Sequence, residues 1–227
     1  MRDDDVLNRW DRDGPASLGW RDWILVYSDI HRFADVGLKM INDAHQRAWD
    51  QAAAQPSNEV FWDVGEAYDN LVGGLNSVDH EWMYLAAALK DSVTAFEVYL
   101  AALAEEILIV HGLIERLYGK LSPWWKALKR WYRRHLDLDL DSHGVAEIRE
   151  IRHALAHRRG VLRTEAERKA WGRQEGFGGR TVDLQPDGVR GMMEILAGMV
   201  SIVEEAGVPY TRFGGKRFGE GQLTLLE

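Results

Sequence analysis

"DHEWMYLAAALKDSVTAFEVYLAALAEEILIVHGLIERLYG", residues 79–119, holds no proline and one interior glycine, Gly112. Ser77 stands just before it as a helix cap, and Gly119 closes it. As one helix at 1.5 Å per residue it would reach roughly 60 Å. The run is therefore either the central beam of the fold or broken near Gly112.

The rest of the chain arranges itself around that beam. A helix is expected from Ser17 to about Gln55, stopped by Pro56. A second, "EVFWDVGEAYDNLV" at 59–72, frays at Gly73-Gly74. Beyond the beam, Ser122-Pro123 pairs a cap with a first-position proline and opens "WWKALKRWYRRHL". An acidic loop, "DLDLDSHG" at 137–144, leads into "AEIREIRHALAHRRG" at 146–160. A short charged helix at 164–173 and a glycine-rich loop at 174–185, with one strand candidate in "RTVDL", precede a last helix from Pro186 to about Ala206. The tail from 207 is expected to be loose or to pair as a hairpin. Strand signals are otherwise almost absent, so the class is all-α. The expected layout is a flexible arm at 1–16, helices at 17–76 packed on the bundle, a helical domain at 77–206 and the tail at 207–227.

Composition narrows the function. The chain has 227 residues and a net charge of −8. That balance excludes a surface that binds nucleic acid all over, but leaves room for a local basic patch. With no cysteine there is no disulfide or thiolate metal site, which suits a reducing cytoplasm. The opening "MRDDDVLNRWDRDG" is acidic and lacks an apolar core, so no secretory signal is expected. Apolar runs such as "ILIV" at 107–110 are too short to cross a bilayer. Ten tryptophans are expected mainly as core or interface anchors.

Several familiar chemistries fail on inspection. "DLDLDSH" imitates a calcium loop, but Ser142 replaces the required glycine and Ile148 the bidentate glutamate. "GGKR" at 214–217 has Arg217 where a phosphate loop needs Ser or Thr. His80-Glu81 lacks the second histidine of a zinc-protease helix, and there is no Gly-x-Ser-x-Gly.

The helix around 145–159 is different. On a wheel, Val145, Ile148, Ile151 and Leu155 make the core stripe. Glu150, His153 and His157 fall together on the opposite side, and Arg152 lies at the stripe's edge. Arg158 and Arg159 complement the dipole of the last turn, and Gly160 suits the residue beyond it. An ordinary amphipathic helix with a basic end accounts for much of this. The spacing of Arg152 to His157 recurs at Arg130 to His135, so spacing alone decides nothing. The surroundings differ: Arg130 is followed by Trp131, whereas Arg152 is followed by the polar His153, then Ala154-Leu155-Ala156, His157, a basic pair and Gly160.

"RHALAH", residues 152–157, with its neighbourhood over about 79–206, resembles the higher-eukaryote and prokaryote nucleotide-binding (HEPN) domains. Their signature is Arg, a polar residue, a few more residues and His, late in a helix of an α-helical bundle. The resemblance implies a metal-independent endoribonuclease, often a toxin or defence component, without cofactor. It carries over Arg152 and His157, with His153 as a supporting polar group. The expected products are a 2′,3′-cyclic phosphate and a 5′-hydroxyl. Arg152 and His157 differ by about 140° round one helix. In this family the usual answer is a homodimer whose two motifs form one cleft. A family variant with Tyr two residues after the His, an acceptor of nucleotide modification, is not matched: Arg159 stands there.

Arg149, Arg158 and Arg159, with Lys126, Arg130, Arg133 and Arg134 of the basic helix, are candidate RNA-backbone contacts, against the alternative of a solvated face. Glu97 and Glu150 are candidate supporting groups. His153 and His157 with Glu150 have zinc-like spacing, but no fourth ligand follows and no metal is expected. The rival functional class is a non-catalytic helical module binding a nucleotide, RNA or protein. A third reading is a scaffold or antitoxin-like partner in a defence system.

Overall fold

Ser17 caps the first helix: its Oγ accepts the Trp20 N–H at 3.0 Å. The computed structural model describes residues 16–54, 64, 66–69, 77–113, 125–158, 160–161, 182–219 and 221–223. Helix α1, Leu18–Ala53, buries Trp20, Trp23, Tyr27, Ile30, Ala34, Gly37, Ile41, Ala44, Ala48 and Ala52. These recur every three or four residues, which places them on one face. Bulk declines along it from tryptophan to alanine, and Ala44, Ala48 and Ala52 meet Val64, Ala67 and Tyr68 in a small separate core.

Helix α2, Ser77–Val110, is the beam. Its 34 residues correspond to about 51 Å. Leu85, Leu89, Val93, Phe96, Leu100, Leu103, Ile107 and Leu108 are all almost fully buried. Apolar residues surround most of its circumference, as a helix enclosed by neighbours requires. It ends at Val110, because Gly112 turns to φ +72° and the Leu113 N–H returns to the Leu108 carbonyl. The break at Gly112 is thus the alternative the molecule adopts.

Helix α1 lies along α2 in the most extensive pairing of the fold. Gly37 permits the approach: a Cβ there would stand 2.5–2.9 Å from the Tyr84 ring. Gly37→Ala is therefore expected to displace that ring and destabilise the fold by about 1–3 kcal/mol. A urea denaturation midpoint reads this directly, and an unshifted midpoint would show that the pair is loose.

Further helices among the described residues are α3, Trp125–Leu136; α4, Val145–Arg158; and α5, Pro186–Gly207, continued by a 3-10 turn at Val208–Tyr210. Helix α3 buries Ala127, Leu128, Trp131 and Tyr132, and the Tyr132 hydroxyl donates to the Leu100 carbonyl of α2 at 2.7 Å. Helix α5 supplies Val189, Met193, Leu196, Ala197, Val200 and Val203 to the core. No strand occurs among the described residues. Of "RTVDL", Val182–Leu184 are irregular, and Val182 serves as a tie. Its N–H donates to the Gly160 carbonyl at 2.8 Å, while its own carbonyl accepts Trp82 Nε1 at 2.9 Å. The end of α4 is thereby fastened to α2. The helices read at 59–72 and 164–173 lie largely or wholly outside the described residues.

The tail is not a hairpin where it is described. Phe218 stacks on Tyr210 at 4.1 Å, and Leu223 is buried. His111 donates from Nδ1 to the Ile107 carbonyl at 2.7 Å and accepts the Phe218 N–H at Nε2. Aromatic burial outweighs the strand pairing that turn residues alone suggest. Phe218 also reaches His135, whose pKa is lowered by burial and then by the Arg134 charge, against a backbone hydrogen bond with Gln222. A depressed imidazole contributes stability above its unfolded pKa of about 6.5 and loses it as pH falls through the folded value. His135→Gln is expected to flatten the fall in urea midpoint between about pH 6.5 and pH 5. Glu106, raised by burial, acts in the opposite sense, so the difference between wild type and variant isolates the histidine. Parallel pH profiles would reject this role for His135.

Candidate active site

Helix α4 carries the residues whose chemistry is distinctive. Its inner face is set by Val145, Ile148, Ile151 and Leu155, all at most 5% exposed, joined by Ala154 at 0%. They seat α4 against α2 and α5. Gly144 and Gly160 bracket the helix at φ +87° and +79°, conformations open to glycine without strain.

With that face buried, the i, i+4 rule puts His153 and His157 side by side in solvent. Both are exposed, and their ring centroids are 4.6 Å apart with planes at 49°. Glu150 is half-buried one turn earlier. Arg152 occupies the border of the core face: the residue is half-buried, and its Nε is buried without a hydrogen-bond partner. The structure thus brings the two imidazoles together, and leaves Arg152 beside them in sequence but at the helix's flank.

Arg149 is committed elsewhere. Its Nε and one terminal nitrogen both reach Glu97 Oε1 at 2.9 Å, and its guanidinium lies 3.8 Å over the Trp125 ring. The pair is only about a quarter exposed, at 24% and 28%, so water screens it less than a surface pair. Stacking on the indole adds a further attraction. Glu97, a candidate supporting group, therefore positions Arg149 and joins α2 to α4.

The basic face of α3 is also partly answered. Lys129 pairs with Asp141, which accepts Trp125 Nε1 as well, and Arg133 pairs with Asp139 at 2.8 Å. Asp137 and His143, at φ +54° and +57°, fold the acidic loop back toward α3. The acidic loop is in part a counter-charge to that face. Lys126, Arg130 and Arg134 are exposed, and Arg130 Nε donates to the Lys126 carbonyl at 3.4 Å. Arg159 and the Arg158 side chain lie outside the described residues. Among the described residues no three His, Asp or Glu side chains gather as a metal site.

No family model, curated protein or solved structure matches the chain. The functional reading therefore stands on these side chains.

Sequence reasoning missed one constellation. Glu204 of α5 is 0% exposed, yet accepts from the Ser17 N–H at 2.7 Å, the Ser17 hydroxyl at 2.8 Å and the Tyr99 hydroxyl at 2.9 Å. Glu106 of α2, 8% exposed, accepts the Leu18 N–H at 2.9 Å, and burial raises its pKa. The available signal was a pair of glutamates interrupting apolar runs, "LAEEILIV" and "VSIVEEAG". These carboxyls hold the start of α1, far along the chain from either.

Proposed function

We propose that this chain is a metal-independent endoribonuclease of HEPN type, acting as a homodimer. The observation that carries the reading is the exposed, adjacent imidazole pair His153–His157 next to Arg152 on one well-seated helix. Imidazole titrates near neutral pH and can take or give a proton without a metal. A guanidinium supplies fixed positive charge and a planar fork for phosphate oxygens.

In the reaction, the ribose 2′-oxygen attacks the adjacent phosphorus while His157 takes its proton. The bond from phosphorus to the 5′-oxygen breaks, and that oxygen leaves with a proton returned by an acid, for which His153 is the nearest group. Arg152 stabilises the charge building on the phosphorane. The products are a 2′,3′-cyclic phosphate and a 5′-hydroxyl. Since Arg152 and His157 of one chain stand about 140° apart on α4, a second copy related by a two-fold axis supplies the complementary group. Exposed Lys126, Arg130 and Arg134 on α3 would hold the RNA backbone.

The biological role that fits is a toxin or defence nuclease restrained by a partner protein. No helix among the described residues is long and apolar enough to cross a membrane. The test is cleavage of total RNA in EDTA by wild type, Arg152→Ala and His157→Ala. Metal-dependent cleavage, or none from the folded wild-type dimer, would overturn the proposal.

A further inference from the structure

We infer that His153 and His157 together form a bidentate site for a divalent transition-metal cation of the zinc, nickel or copper class. Neutral imidazole is a good ligand for each of these ions. The two residues are four apart on a helix whose opposite face is locked in the core, so their Cα positions are fixed relative to one another. Both rings are exposed and within reach of solvent ions.

The spacing fits a chelate. With a metal–nitrogen bond of about 2.1 Å and tetrahedral angles, two imidazoles on one cation have ring centroids roughly 5 Å apart. The observed separation is 4.6 Å, close to that value, with the ring planes at 49°. Glu150, one turn toward the helix start, adds negative charge nearby, while Arg152 is half-buried at the edge of the core face. No third protein ligand gathers among the described residues, so water fills the other coordination positions. The site is consequently open and exchangeable, unlike the closed four-ligand structural sites of zinc domains.

A bound cation would occupy the nitrogen lone pairs. On the nuclease reading given above, it would oppose acid–base catalysis and act as an inhibitor. The site itself does not depend on that reading.

The experiment is isothermal titration of nickel chloride, then zinc chloride, into the untagged full chain, with circular dichroism confirming the fold of each variant. One cation per chain is expected. Binding should weaken at least tenfold in His153→Ala and in His157→Ala separately, and stay unchanged in His143→Ala, which removes an exposed loop imidazole. Equal binding by wild type and the His153→Ala/His157→Ala double variant would overturn the inference. So would loss in only one of the two single variants. No RNA enters the measurement, so its outcome is separate from that of the cleavage assay.

Discussion

His157→Ala is expected to lower RNA cleavage by a factor of about 10²–10⁴, the usual contribution of a positioned general acid or base. Arg152→Ala should fall by about 10²–10³, as when one preorganised charge stabiliser is removed. His157 is exposed, so its loss leaves the core untouched and the helical spectrum unchanged. Arg152 is half-buried at the margin, and Arg152→Lys provides a gentler probe: it keeps the charge but removes the bidentate fork. Cleavage with retained EDTA resistance is measured on total RNA, with product ends read as cyclic phosphate. Mixing the two inactive variants adds a sharper outcome. If each active cleft draws Arg152 from one copy and His157 from the other, heterodimers regain one intact cleft and partial activity. Wild-type rates in both single variants would reject this active site, and no cleavage by the folded wild type would leave a helical binding module in place of the nuclease.

Glu204→Leu is expected to destabilise the fold by about 3–5 kcal/mol, the scale for stripping a buried polar network of one partner. The carboxyl takes three hydrogen bonds at 2.7–2.9 Å inside the bundle. Leucine would strand the Ser17 N–H and weaken the hold on Tyr99, each away from water. The effect reaches further than the hydrogen bonds, because Ser17 also caps α1 through Trp20. A helix start leaves several N–H groups without intrahelical partners and carries positive dipole charge. Here carboxyls from two distant helices meet that need, since Glu106 takes the Leu18 N–H. Against a typical total stability of 5–15 kcal/mol, the loss is large. Urea denaturation measures it, and Glu204→Gln, which retains one acceptor, should fall between. A midpoint for Glu204→Leu within about 1 kcal/mol of wild type would show that the network is incidental.

Much of the scaffold is readable from residue order. Gly112 ends α2 because a residue without Cβ can enter the left-handed region, and that depends on nothing far away. Val145, Ile148, Ile151 and Leu155 face the core because their spacing leaves them one side to share. The pairing of His153 with His157 follows from the same geometry. Arg149 is harder. Its spacing and charge resemble those of a phosphate ligand, and only the arrival of Glu97, 52 residues earlier, and of the Trp125 ring assigns it a structural post. Arg133 is read as part of a basic face, until the loop that follows it returns with Asp139, next to the Asp141 that pairs with Lys129.

The order of residues alone determines the all-helical class, the break in the central helix and the face α4 turns inward, because each rests on periodicity and capping among neighbours a few residues apart. Tertiary structure decides which charges remain available and which are consumed. Glu204 and Ser17 are 187 residues apart in the chain and 2.7 Å apart in the molecule. A charged side chain's fate depends on what packs across from it, and no local pattern encodes that distance.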